Sequence, residues 1–116
     1  MKIRCLNTFF VLFLFALPYC NGQEIMHAAT DTVMVYGNCG MCEKTIEKSV
    51  FKKGIAEADW DKETDLAVIT YDSTKTTLAE VLQRIANAGY DNEMFRAPDK
   101  VYEKLHGCCQ YERKPE

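Results

Sequence analysis

The chain has 116 residues, 47% of them hydrophobic and 27% charged, with a net charge of −3 at pH 7. That length suits one small domain, and a mildly acidic balance with no basic stripe excludes a binder of nucleic-acid phosphates. Six cysteines in so short a chain are the feature that most needs explaining.

In chain order, Lys2 and Arg4 give a basic start, and the uncharged run Phe9–Leu17 follows. A helix needs about 20 apolar residues to cross roughly 30 Å of hydrocarbon, so this run is too short to span. It has the size and flanks of a secretory signal. Residues 1–22 are therefore expected to be a signal peptide cut after Gly22, and the chain to be exported, with the periplasm as its destination. The rival reading is lipid attachment at Cys20 in "LPYC", which the bulky Tyr19 disfavours. Cys5 and Cys20 fall in this segment. Cys39, Cys42, Cys108 and Cys109 remain.

Residues 23–31 are polar and aperiodic, and read as a flexible leader in which His27 is solvated. From Thr32, "TVMVY" is β-branched and aromatic, a strand, and Gly37 and Asn38 break it. Cys42, Ile46 and Val50 then recur at four-residue spacing, the stripe of an amphipathic helix, with Gly54 as its expected stop. "IAEADWD" alternates as a half-buried strand, "KETD" turns, and "LAVITY" returns. Thr77 with Glu80 has capping-box spacing. Leu78, Val81, Leu82, Ile85 and Ala86 make a second helical stripe, which Gly89 ends. "YDNEMF" from Tyr90 reads as a short last strand. Trp60, Val68, Ile69, Leu82 and Ile85 are the expected core.

The order β-α-β-β-α-β predicts an α+β fold, the ferredoxin-like sandwich. Two right-handed crossovers interleave into a four-stranded antiparallel sheet with both helices on one face. Such a fold hosts many activities, so function has to come from the site. Residues 96–116 form a tail. Pro98 suits the first turn of a short helix, Val101 and Leu105 share one face of it, and Gly107 precedes the cysteine pair.

The cysteines are poorly spaced for structural staples. A Cys39–Cys42 bridge closes a tiny loop and removes little unfolded-state entropy, and bridging adjacent Cys108 and Cys109 strains the peptide between them. Cys39 and Cys42 instead flank the start of a helix, whose unpaired N–H groups favour a thiolate. Thiolates serve soft-metal binding and disulfide exchange alike. A thiol–disulfide oxidoreductase is the alternative. A thioredoxin-like fold, however, places a strand–helix–strand passage before its dithiol and a proline opposite it. Here one strand precedes the motif, and after the signal only Pro98 and Pro115 are available.

On "GNCGMC", the element order, "ADWDKETDLAVITYD" and "IANAGYD", residues 32–95 resemble the heavy-metal-associated domain family. The resemblance implies that Cys39 and Cys42 bind and transfer a soft ion without catalytic turnover. Cu(I) is the first expectation, with Hg(II) or Zn(II) as others. It also implies a metal transporter or another carrier as partner, and a monomer or a metal-bridged dimer. The family's usual Gly-Met-Thr/His-Cys is here Tyr36-Gly37-Asn38-Cys39, and Met41 lies between the cysteines, where loop packing is its plainer role. Tyr90 is expected to pack against the loop. His106, Cys108 and Cys109 lie beyond the basic domain. Either the tail folds back and brings these thiols to the first pair as further candidate ligands, His106 being the weakest of them, or it forms a separate thiol pair.

Overall fold

A computed structural model describes residues 24–116. The signal-peptide and Cys20 readings fall on residues outside it. The elements are β1 (Ala28–Met34), α1 (Gly40–Val50), β2 (Ala56–Asp61), β3 (Leu66–Asp72), α2 (Leu78–Asn87) and α3 (Asp99–Glu103), followed by a 3-10 turn over Gly107–Cys109. The sheet is antiparallel with order β1-β3-β2. β1 begins at Ala28, which pairs with Asp72, so the expected flexible leader contributes half of this strand.

The sheet has three strands where four were expected. Of "YDNEMF", a single bridge survives, Val35 to Asn92. The cause is local side-chain competition with the backbone ladder. The Asn92 Oδ1 accepts from the N–H groups of Met94 and Phe95, both at 3.1 Å, and the Asn92 N–H donates to the Phe95 carbonyl at 2.9 Å. The chain thus curls away from β1 after one pairing.

Strand alternation sorts the core. Val33, Ala56, Trp60, Ala67 and Ile69 face inward and join Cys42, Ile46 and Val50 of α1 and Val81, Leu82 and Ile85 of α2 in one buried cluster. Both helices therefore cover the same face of the sheet. Val68 was expected in this core and is 42% exposed. It lies between Ala67 and Ile69, so the period of two sends it to the uncovered face. Full burial of an aliphatic side chain contributes about 1.5–3 kcal/mol; α1 supplies Ile46 and Val50 to this cluster, and α2 supplies Val81, Leu82 and Ile85.

Turn chemistry follows the sequence with two changes. Thr77 caps α2 by accepting from the Glu80 N–H at 3.2 Å, but the Glu80 carboxylate does not complete the box and accepts instead from the Thr76 hydroxyl at 2.7 Å. Gly89 ends α2 with φ +111°, a conformation that favours glycine. Helix α1 stops at Val50, earlier than Gly54, whose φ of 72° serves the turn into β2.

Candidate metal centre

The loop between β1 and α1 rests on Trp60. The Trp60 indole N–H donates to the Val35 carbonyl at 2.9 Å. A Cβ on Gly37 would lie 2.8 Å from Trp60 Cζ2, so only glycine lets the backbone lie flat on this ring. Cys39 then occupies the N-cap of α1 in extended backbone, and Cys42 sits buried in the first turn. Their sulfurs are 3.3 Å apart. Asn38, which the sequence reading passed over as a breaker, accepts from the Cys42 thiol through Oδ1 at 3.2 Å.

The tail folds back onto this loop, the first of the two arrangements considered for it. Cys109 is buried, with its sulfur 3.6 Å from that of Cys39, and Cys108 is exposed, with its sulfur 3.9 Å from that of Cys109. The sulfurs of Cys39, Cys108 and Cys109 all lie within 4.8 Å of one another. All four cysteines among the described residues are free thiols. Met41 does not tuck into the loop. It is 47% exposed, and its sulfur faces Cys108 at 3.7 Å. His106 is exposed and outside the thiol cluster. Another group, Glu43, Glu47 and Asp59, brings carboxylates together, but Glu47 is engaged by the Trp60 N–H at 3.0 Å.

The electrostatics divide the thiols. Burial pushes Cys39 up, but hydrogen bonds from the Cys42 N–H, the Cys42 and Cys109 thiols and the Met41 N–H outweigh it and bring its pKa down to about 7. This is the expected action of a helix start on a thiol. Burial, together with the Cys42 and Cys39 thiols, pushes Cys109 up to about 12. Tyr90 is fully buried beside Cys42 and Cys109, and burial raises its pKa first, then those two thiols. Its hydroxyl makes no hydrogen bond in this arrangement. Sequence reasoning placed the Tyr90 ring correctly against the loop but gave the hydroxyl no part.

A network beyond the basic domain holds the tail. The Arg113 guanidinium donates to both oxygens of buried Asp91, at 3.1 and 2.8 Å, and to Asp99 at 2.5 Å. It also stacks over the Tyr102 ring at 4.7 Å. The Tyr111 hydroxyl accepts from the Asp91 N–H and donates to the Gly89 carbonyl, both at 2.8 Å. Tyr111 also stacks on Tyr90, with centroids 5.6 Å apart. Residues 109–113 are thereby fixed beside the metal loop.

The heavy-metal-associated domain pattern matches residues 32–91, more than half of the chain. The chain belongs to that family. A mercuric transport protein periplasmic component of Shewanella putrefaciens is 31% identical over 90 residues, which cover 77% of this chain and 98% of the relative. The component of the same name from Pseudomonas aeruginosa is 35% identical over 71 residues, 58% of this chain and 78% of the relative. Among solved structures, a CopZ metallochaperone superposes with a TM-score of 0.52 at 24% identity, covering 55% of this chain and 98% of that one. That last likeness supports the fold. Within this heavy-metal-associated protein, Cys108 and Cys109 fall outside the matched residues. No helix among the described residues is long and apolar enough to cross a membrane.

Proposed function

We propose that the chain is an exported carrier of a soft metal ion. Cys39 and Cys42 are its capture ligands, Cu(I) its first cargo and Hg(II) its second. The observation that carries this reading is the pair of free thiols 3.3 Å apart at the start of α1, in a member of a heavy-metal-binding family. One of the two is a thiol of pKa about 7. Soft thiolates select ions such as Cu(I), and binding releases the thiol proton, so uptake weakens in acid.

Transfer proceeds by ligand exchange. A thiolate of the recipient forms a bond to the ion before the bond to one of Cys39 or Cys42 breaks, and nothing is oxidised or reduced. Half-exposed Cys39 is the sulfur of the pair nearer to an incoming thiolate, whereas Cys42 is buried. The partner is a metal transporter or a second carrier. Export is supported by the periplasmic naming of the relatives. Those relatives are named for transport, which favours a carrier over a thiol–disulfide enzyme.

The test is the double substitution Cys39→Ser with Cys42→Ser. It should leave the far-ultraviolet circular dichroism unchanged and abolish tight Cu(I) uptake in competition with a chromogenic chelator. Unchanged affinity would refute the reading.

A further inference from the structure

Two thiolates holding an ion in line stand about 4.6 Å apart, twice a metal–sulfur bond of ~2.3 Å, whereas three around one ion stand about 4.0 Å apart. The Cys39–Cys42 separation of 3.3 Å falls short of the linear value. The tail sulfurs fall nearer the trigonal one, at 3.6 Å for Cys39–Cys109 and 3.9 Å for Cys108–Cys109. We infer that Cys39, Cys108 and Cys109 form a three-thiolate seat for the soft ion. It shares Cys39 with the Cys39–Cys42 pair, so the tail completes the centre inside one molecule. This deepens the carrier reading and rests on it.

Three further observations support the seat. Cys109 lies in the buried cluster and its carbonyl accepts from the N–H of Tyr111 at 2.9 Å, whose hydroxyl is in turn bonded to the Asp91 N–H, so its position is set before any ion arrives and the ordering cost is small. The Tyr90 hydroxyl is fully buried without a partner beside Cys42 and Cys109. Buried polar groups are almost always paired, and a thiolate on Cys109 gives this O–H an acceptor. Exposed Cys108, with the Met41 thioether 3.7 Å away, sets the soft ligand nearest solvent at the mouth of the same site.

The step is again exchange without redox change. Bonds to Cys108 and Cys109 form as the bond to Cys42 breaks; of the two protons released, one restores the Cys42 thiol that donates to Asn38 and the other passes to solvent. An ion captured by the loop pair thus passes to a seat of higher coordination, and Cys108 is the first thiol a recipient meets.

The experiment loads reduced protein with one equivalent of mercuric chloride, then reads alkylation by mass spectrometry and the ultraviolet thiolate-to-metal absorption. Loading should protect Cys39 and Cys108, the two of the three that solvent reaches, and the absorption should be that of three thiolates. Cys42→Ser should keep that absorption. Cys108→Ser with Cys109→Ala should lose it and bind about tenfold or more weakly against a small dithiol competitor. Should that variant lose its circular dichroism, Cys108→Ser alone, at an exposed position, carries the test and should lose the three-thiolate absorption. The inference is overturned if exposed Cys108 remains alkylated at the metal-free rate in loaded protein. It is equally overturned if the tail variants match the parent in affinity and spectrum while the parent binds. A parent that takes up no mercury at all would instead overturn the carrier reading itself.

Discussion

Cys39 and Cys109 lie 3.6 Å apart, yet their acidities are pushed in opposite directions. Backbone N–H groups at the helix start point at Cys39, while burial first, and then the Cys42 and Cys39 thiols, push Cys109 up. Metal-free, reduced protein should therefore alkylate at Cys39 with a rate that rises through a midpoint near pH 7, because only the thiolate reacts. Cys109 should stay unreactive across that range. A Cys39 midpoint near the ordinary thiol value of about 8.5 would show that the helix start does not act on it. The sequence made this contrast half legible. Spacing alone put Cys39 at a helix N-terminus, but the burial of Cys109 depends on contacts about 70 residues away, which no local pattern encodes.

At the level of elements, the metal loop owes its shape to the close approach of Gly37 and Trp60. Gly37→Ala places a methyl group 2.8 Å from the indole, and such overpacking costs about 1–3 kcal/mol. Urea unfolding should show a loss of that size, together with weaker metal uptake as the loop lifts and the sulfurs part. An alanine variant equal to the parent in both would refute the close approach. Helices α1 and α2, the β2–β3 hairpin and the Gly89 stop were legible because each rests on periodicity or on one residue's backbone freedom. The fourth strand was not. Apolar spacing at "YDNEMF" is compatible with a strand, but the Asn92 side chain competes for the backbone, and that competition is decided by the geometry of the following turn. Val68 failed for a related reason, since a run of apolar residues does not say which of its two faces the helices will cover.

Across the whole molecule, one buried carboxylate is central to the joint between the tail and the domain. Burial opposes ionisation of Asp91, but the Arg113 guanidinium and the N–H groups of Ala97 and Lys114 outweigh it and hold its pKa below the usual carboxylate range. A folded pKa lowered in this way stabilises the protein fully above the unfolded value of about 3.9. That stability is lost as pH falls through the lower folded value. Stability should thus hold at mild acidity and drop below about pH 4. Arg113→Leu removes the paired guanidinium and leaves Asp91 with Arg96 at 3.9 Å and the Ala97 and Lys114 N–H groups, so it should cost about 1–3 kcal/mol, measured by thermal or urea unfolding at neutral pH. It should also open Cys109 to alkylation. A variant as stable as the parent, with Cys109 still shielded, would show that the Tyr111 and Lys114 contacts hold the tail without this ion pair. The sequence supplied the candidate thiols of the tail but not this clasp, because Asp91 and Arg113 are 22 positions apart and follow no motif.

Trp60 is the single tryptophan of the chain, and its ring forms the floor directly under Gly37, with the Cys42 Cβ also close to that glycine. The protein therefore carries its own optical gauge. Heavy, polarisable ions quench indole emission at short range, so occupancy of the loop can be followed in unlabelled material by fluorescence, in real time and during hand-over to a recipient that lacks tryptophan.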